Sequence, residues 1–182
     1  YFNGECRVEE RNMLQARVIK GEDGGGPRVD GPYHALNDAV VARGGASRVV
    51  TIRASIDDAH LATFRADAVI MSTATGSTGY NLAVGGPILD PRSEALVLKP
   101  VAAHMGLTAG LVLAPSVKVR LSLEGYQEAI LSVDGYVDYP LVPGDRVELE
   151  QSPLKAKFLR ADPPYQFYAS LTRRLGFSIR GQ

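Results

Sequence analysis

The run Asp67-Ala68-Val69-Ile70-Met71-Ser72-Thr73-Ala74-Thr75-Gly76-Ser77-Thr78-Gly79-Tyr80-Asn81-Leu82-Ala83-Val84-Gly85-Gly86-Pro87 is the part of the chain best equipped for chemistry. A short apolar strand leads into small hydroxylated residues and glycines, then a short helix, then Gly-Gly-Pro. Small residues let a ligand approach the backbone. Free amides at a helix start take a phosphate or another acceptor, and hydroxyls pair with a polar ligand. The same pattern also suits a tight strand-to-helix turn with a serine or threonine cap and no ligand. No lysine follows the glycines, so this is not a Walker A loop. It is not a nucleophile elbow either, because the chain contains no Gly-x-Ser-x-Gly.

Other reactive side chains are scattered. His34, His60 and His104 show no metal-ligand spacing among themselves or with Cys6, so the pattern holds no zinc site. His104 reads as a packed or interface residue. Asp57-Asp58 reads as an N-cap and first helical turn, not as a catalytic carboxylate pair. Cys6 is the single cysteine and cannot make an internal disulfide, which points to a reducing compartment such as the cytoplasm. Lysine plus arginine and aspartate plus glutamate both number 20, so the net charge is zero. This argues against a nucleic-acid binder working through a global basic field and leaves a local basic patch open. No apolar run approaches the ~18 residues of a membrane span. The first residues lack the pattern of a signal peptide and an initiator methionine, and the chain reads as a piece of something longer.

The elements that must position the central run are mostly strands. The chain is 182 residues with 45% hydrophobic and 22% charged side chains, the mix of a globular domain. Val117–Leu123 alternates apolar and polar residues, as do Ala129–Val133, Val147–Leu149 and Leu154–Phe158. Glu124-Gly125, Asp134-Gly135, Pro143-Gly144-Asp145 and Ser152-Pro153 read as the turns between them. Four such strands predict one antiparallel sheet, half of a sandwich. Upstream, Asn12–Lys20, Tyr33–Val41, Arg48–Ile56 and Asp67–Ser72 read as strands, and Gly21–Gly31 as an exposed loop. Helices are predicted at Thr78–Val84 and from Asp162 or Pro163-Pro164 to Gly176. Tyr165, Phe167 and Tyr168 on the second helix read as docking residues rather than a base-stacking platform.

The central run resembles the Asp-Gly-x-x-x-Ser-Thr-Pro-Thr-Gly-Ser-Thr-Ala-Tyr…Gly-Gly-Pro stretch of the NAD kinases. Ala35-Leu36-Asn37-Asp38 is similar to that family's Asn-Glu or Asn-Asp motif, and Lys99-Pro100-Val101-Ala102-Ala103-His104 to its Pro-x-x-x-His segment. Ser132-Val133-Asp134-Gly135 and Leu171-Thr172-Arg173-Arg174-Leu175-Gly176-Phe177 fit in order and spacing. Asp38 stands where glutamate is commoner, Ala68 replaces a glycine, Ala74 a proline and Gly79 an alanine. The family's Gly-Gly-Asp-Gly motif, which supplies the catalytic aspartate, has no counterpart. Gly21-Glu22-Asp23-Gly24 echoes it superficially, but it precedes Asn37 within a loop between strands.

The resemblance implies a mainly β, sandwich-like C-terminal domain of the NAD kinase fold spanning residues 1–182. A short helix follows the Thr-Gly-Ser-Thr loop, and a second helix lies at the C-terminus. The parent protein would add an N-terminal α/β domain carrying the catalytic aspartate. The implied reaction moves a phosphoryl group from ATP or polyphosphate to the 2′-hydroxyl of the adenosine ribose of NAD, with Mg²⁺ or another divalent cation on the donor. No catalytic residue and no metal ligand fall on this chain. The implied NAD-binding residues are Asn37, Asp38, Arg48, Asp67, Thr75, Thr78, Gly79, Tyr80, Ala83 and Tyr136. Asn37 donates and accepts, Asp38 accepts from ribose hydroxyls, and Asp67 accepts from the nicotinamide carboxamide. Neighbours along a regular strand point to opposite faces, so contact by both Asn37 and Asp38 requires a bulge or a strand end. A cytoplasmic homo-oligomer is implied, with neighbouring subunits completing each NAD site, and with neither nucleic acid nor membrane as partner. Two other readings fit the residues: a non-catalytic β-sandwich interaction module, and a lipid kinase of the same superfamily. The polar loop favours a nucleotide over an acyl chain.

Overall fold

The computed structural model describes residues 6–21, 28–45, 49–104, 107–161, 163 and 165–174. Among them, strands form two six-stranded antiparallel sheets. The first sheet runs in the order β2 (Val29–Ala35), β1 (Arg7–Ile19), β12 (Arg146–Arg160), β9 (Val119–Glu124), β4 (Val50–Ile56), β5 (Ala59–Ala66). The second runs β11 (Val137–Leu141), β10 (Ala129–Val133), β3 (Asp38–Arg43), β6 (Ala68–Ser72), β7 (Leu96–Val101), β8 (Leu111–Leu113). The chain divides into two compact units. One is Arg11–Ala156; the other comprises the described parts of Tyr1–Glu10 and Lys157–Gln182, including helix α2 (Gln166–Arg174). Every site residue considered below that the structure describes lies in Arg11–Ala156.

The core of this larger unit is built from alternate strand positions. Leu14, Ile52, Phe64, Leu121 and Leu149 come from the first sheet, and Val41, Met71, Leu98 and Leu131 from the second. Each sheet turns one face inward, which is the arrangement that alternation demands. The first sheet's other face is polar, with Arg53, Arg120, Ser122 and Glu148. The second sheet's outer face carries a smaller cluster, Val40, Ala68 and Ile70, covered in part by Val84. This is why β6 is buried throughout and reads as a continuous apolar run. No helix among the described residues is long and apolar enough to cross a membrane.

The architecture matches the expected mainly β fold with its two helices, but several elements differ from the sequence reading. The four alternating runs do not form one sheet: β9 and β12 lie in the first, β10 in the second beside β11, a strand not expected. Alternation reports which face is buried, and both sheets bury against one core, so it cannot sort strands between them. The expected turn at Ser152-Pro153 lies inside β12. Pairing with β9 covers only Arg146–Leu149, so Pro153 interrupts no bond of that ladder. Asp57-Asp58 caps no helix. Both residues have positive φ, 47° and 68°, and turn β4 into β5. The Asp57 carboxylate accepts the Lys118 backbone N–H at 2.9 Å, and Asp58 pairs with Arg120. β7 and β8 were not expected either. The helix foreseen at Thr78–Val84 is one 3-10 turn, Gly76–Thr78, followed by the single-turn helix α1, Tyr80–Ala83. The predicted caps at Asp162 and Gly176 lie outside the described residues, as does most of the Gly21–Gly31 loop with Asp23.

Candidate functional site

The chain crosses from the first sheet to the second between β2 and β3. Tyr33–Val41, read as one strand, breaks there at Leu36-Asn37. The break is stabilised mainly by side chains, with one backbone bond. The Asp134 carboxylate accepts the backbone N–H groups of Leu36 at 2.6 Å, Asn37 at 2.8 Å and Asp38 at 3.0 Å. The Leu36 carbonyl accepts the Thr73 hydroxyl at 2.6 Å, and the Asn37 carbonyl accepts the Thr73 N–H at 2.9 Å. All five backbone groups are thus satisfied. The crossing supplies the strand end that joint contact by Asn37 and Asp38 requires. The Asn37 side chain is exposed, and Asp38 is buried on the outer face of the second sheet, paired across from Ser72.

The glycine-hydroxyl loop is docked directly on this crossing. A methyl group at Gly76 would stand 2.1 Å from the Asn37 carbonyl oxygen, so only glycine lets the loop approach. Thr73, Ser77 and Asn81 face inward. The Thr73 hydroxyl accepts the Gly76 N–H at 3.1 Å, and the Ser77 hydroxyl donates to the Ala74 carbonyl at 2.7 Å and accepts the Leu89 N–H at 3.0 Å. The buried Asn81 amide donates to the carbonyls of Ser77 at 3.0 Å and Pro87 at 2.9 Å, and its oxygen lies so close to Gly86 that a methyl group there would sit 1.9 Å away. These contacts correct one expectation. The N–H groups of Gly76, Ser77 and Gly79 are used within the loop, so these three are not free to grip a phosphate, and the expectation of free amides narrows to the other residues of the helix start. Thr75 and Thr78 are half-buried, and Gly79, Tyr80 and Ala83 are exposed. They form the accessible face of the loop.

Asn81→Leu is expected to destabilise the chain by about 1–3 kcal/mol for each carbonyl left without its donor. Urea unfolding measures this, and a loss below about 0.5 kcal/mol would mean that the amide does not hold the loop.

The remaining candidates separate. Asp67 precedes β6 while Thr73 follows it, so at ~3.3 Å per residue roughly 20 Å lies between them. Within one copy Asp67 is therefore not beside Asn37 and Thr75–Ala83, the residues with which the resemblance groups it. Closeness in sequence is misleading here because the intervening residues are fully extended. Asp67 pairs instead with Arg43, Nε to Oδ1 at 3.4 Å. Tyr136, exposed in the β10–β11 turn, lines an open groove of about 530 Å³ with Pro32, Tyr33, His34, Val133, Asp134 and Val137. Arg48 lies outside the described residues. His104 donates its backbone N–H to the Arg65 carbonyl at 2.9 Å.

Burial pushes the Asp38 carboxyl up to about 6, and the charge of Asp134 adds to the shift. Asp38 is thus poised to exchange a proton near neutrality. Among the described residues no three His, Cys, Asp or Glu side chains come together as a metal cage. Sequence reasoning passed over Thr73, Ser77, Asn81 and Asp134. Asp134 had a signal, its place in Ser132-Val133-Asp134-Gly135, but Asp-Gly there reads equally as a hairpin turn.

Residues 36–161, which include the crossing, the loop and Asp134, match the family described as ATP-NAD kinase C-terminal domain. The chain belongs to this family. The NAD kinase of Chloroflexus aurantiacus is 42% identical over 174 residues, covering 96% of this chain and 61% of that protein. The NAD kinase of Dehalococcoides mccartyi is 37% identical over 172 residues, covering 94% and 59%. The chain therefore spans about three fifths of the length of these relatives. Among solved structures, yeast NADH kinase complexed with NADH superposes with a TM-score of 0.84 at 26% identity, over 96% of this chain and 50% of that one. An NAD kinase from Archaeoglobus fulgidus shares the fold, with a TM-score of 0.74 at 23% identity over 91% of this chain and 60% of that one. The resemblance carried by the Thr-Gly-Ser-Thr loop and Asn37-Asp38 is thus a family relationship covering most of the chain.

Proposed function

We propose that this chain is the dinucleotide-holding domain of an NAD kinase. The observation that carries the reading is the docking of the Thr73–Ala83 loop on the Asn37 peptide, within the region that matches the family. The docking brings Gly76 against the Asn37 peptide, which supports a site shared by Asn37, Asp38 and the open face of Thr75, Thr78, Gly79, Tyr80 and Ala83. Asn37 and Asp38 would meet ribose hydroxyls, and the loop face would meet the rest of the nucleotide. The yeast relative bound to NADH supports a dinucleotide ligand.

In the reaction proposed, the 2′-oxygen of the adenosine ribose attacks the terminal phosphorus of ATP or polyphosphate. Its proton passes to a base, and the shortened donor leaves. That base lies on an α/β domain preceding this one in the parent protein. Mg²⁺ or another divalent cation would arrive with the donor, and the described side chains do not form a cage for it. Asp67 lies at the far end of β6. Its part in the carboxamide contact is therefore read as a contribution to a neighbouring subunit's site, in a cytoplasmic homo-oligomer. Arg48 and Tyr136 stay as candidate contacts on the resemblance.

The test is an enzymatic cycling assay for NADP on the 182-residue chain and on the full-length protein, with light scattering on the latter. General-base help is worth about 10²–10⁴ in rate, and losing the donor's placement adds to this. NADP formation is expected only from the full-length protein, which should scatter as an oligomer. Turnover by the isolated chain would overturn the placement of the base. A full-length protein that neither binds NAD nor makes NADP would overturn the reading.

A further inference from the structure

Asp134 has two roles that separate cleanly. It closes the β10–β11 hairpin with φ of 52°, and Gly135 follows at 64°. Two positive φ values in succession are those of a type I′ turn, for which Asn-Gly serves as well as Asp-Gly. The turn alone therefore does not call for a carboxylate. The carboxylate is used elsewhere. One oxygen accepts Leu36 N–H at 2.6 Å, and the other accepts Asn37 at 2.8 Å and Asp38 at 3.0 Å. The Asp134 N–H returns a bond to the Asp38 carbonyl at 2.9 Å. An asparagine would place its NH₂ against one of the three N–H groups, because an amide has only one acceptor atom.

This residue follows β10, the strand paired with β3, and lies nearly a hundred positions from Asn37 in sequence. It grips the crossing on its N–H side while Thr73 and Gly76 press on its carbonyl side. On its carbonyl side the crossing has the backbone bond from the Thr73 N–H, but its three N–H groups go to the carboxylate. Without the carboxylate, the three N–H groups that direct the Asn37 side chain lose their acceptor.

We propose that Asp134 is the positioning residue that sets Asn37 and Asp38 for the dinucleotide, a role that rests on the reading above. Its part in this is indirect, through the backbone of the crossing. It acts through the three N–H bonds, and its charge opposes ionisation of Asp38. The charged group acting on Asp38 is Asp134, from the β10–β11 turn; its strand neighbour on β6 is Ser72, which does not titrate in this range.

Full-length protein carrying Asp134→Asn or Asp134→Glu is titrated with NAD by calorimetry between pH 5 and 8, beside the unsubstituted protein. Asp134→Asn keeps the turn and loses an acceptor and the charge. Its NAD affinity is expected to fall roughly ten- to a hundred-fold, and the pH midpoint of binding to move below that of the parent. Asp134→Glu keeps the charge but carries its oxygens one methylene too far. It is expected to lose affinity with the midpoint unchanged. A purely structural role would lower the melting temperature of both variants and shift neither midpoint. Parent-like affinity and midpoint in Asp134→Asn overturn the proposal and leave the dinucleotide reading standing. Absence of saturable NAD binding by the unsubstituted protein overturns both.

Discussion

Gly76→Ala is expected to cost the fold about 3 kcal/mol or more and to abolish NAD binding. The new methyl group would meet the Asn37 carbonyl oxygen at 2.1 Å, its carbon at 2.5 Å and the Asn37 Cα at 2.7 Å. These are backbone atoms, so no flexible side-chain tip can swing aside. Nor can the crossing move as a piece. Thr73 binds its carbonyls and Asp134 binds its N–H groups. Relief requires the loop to lift off, which separates Thr75–Ala83 from Asn37. Urea unfolding of the chain and NAD titration of the full-length protein measure the two effects. Gly45→Ala is the control, since a methyl group there meets nothing within 4 Å. It should stay within about 0.5 kcal/mol of the parent. A Gly76→Ala variant as stable as this control would show that the loop does not need the close approach.

The loop and the crossing differ in how far sequence could reveal them. Thr75, Thr78, Gly79, Tyr80 and Ala83, singled out on resemblance, are all half-buried or exposed, as is Leu82. Composition alone could not have separated them from Thr73, Ser77 and Asn81. All are small or polar, and a 3-10 turn followed by one α-helical turn has no stable period from which to read a face. The docking of Gly76 on Asn37 joins positions that no local rule connects. Ser72 and Asp38 are brought opposite each other by the register of β3 against β6, and the loop follows from that register. That joint contact by Asn37 and Asp38 requires a bulge or a strand end was legible, because two neighbours in one strand cannot share a face. What makes the end was not legible, because Asp134 looks like a turn residue.

The fold shows the same division. Alternation in Val119–Glu124 and Ala129–Val133 marked both as half-buried strands, which they are. It was silent on their belonging to opposite sheets. β5 escaped because its alternating residues are small and polar, Ala59, Ala62, Thr63 and Ala66, around a single large buried Phe64. Asp57-Asp58 then looked like a helix start. The positive φ of both residues, a conformation that aspartate tolerates better than most, makes them a hairpin turn instead.

Asp38→Asn should make the chain more stable at neutral pH while weakening its hold on NAD. The carboxyl titrates at about 6 in the folded chain against 3.8 for an ordinary aspartate. Between about pH 4 and pH 6 the folded chain keeps a proton that the unfolded chain has released, so stability falls as pH rises through that window. Two pH units of difference correspond to roughly 3 kcal/mol, present in full above pH 6 and absent below pH 4. An asparagine cannot ionise and escapes this cost. Unfolding by urea should therefore find Asp38→Asn more stable by up to roughly 3 kcal/mol at pH 7.5, with most of the difference gone at pH 4.5. A difference of equal size at both pH values would mean that ionisation of Asp38 is not its source. Binding should move the other way. Ribose hydroxyls would donate to the ionised carboxylate, and a charge-assisted bond is roughly twice as strong as one to a neutral amide. NAD affinity of the full-length protein should therefore rise with pH through about 6, and Asp38→Asn should lose about tenfold at pH 7.5. The buried carboxylate destabilises the empty domain. On the proposed reading, the ribose hydroxyls of the ligand would supply the donors that offset this cost.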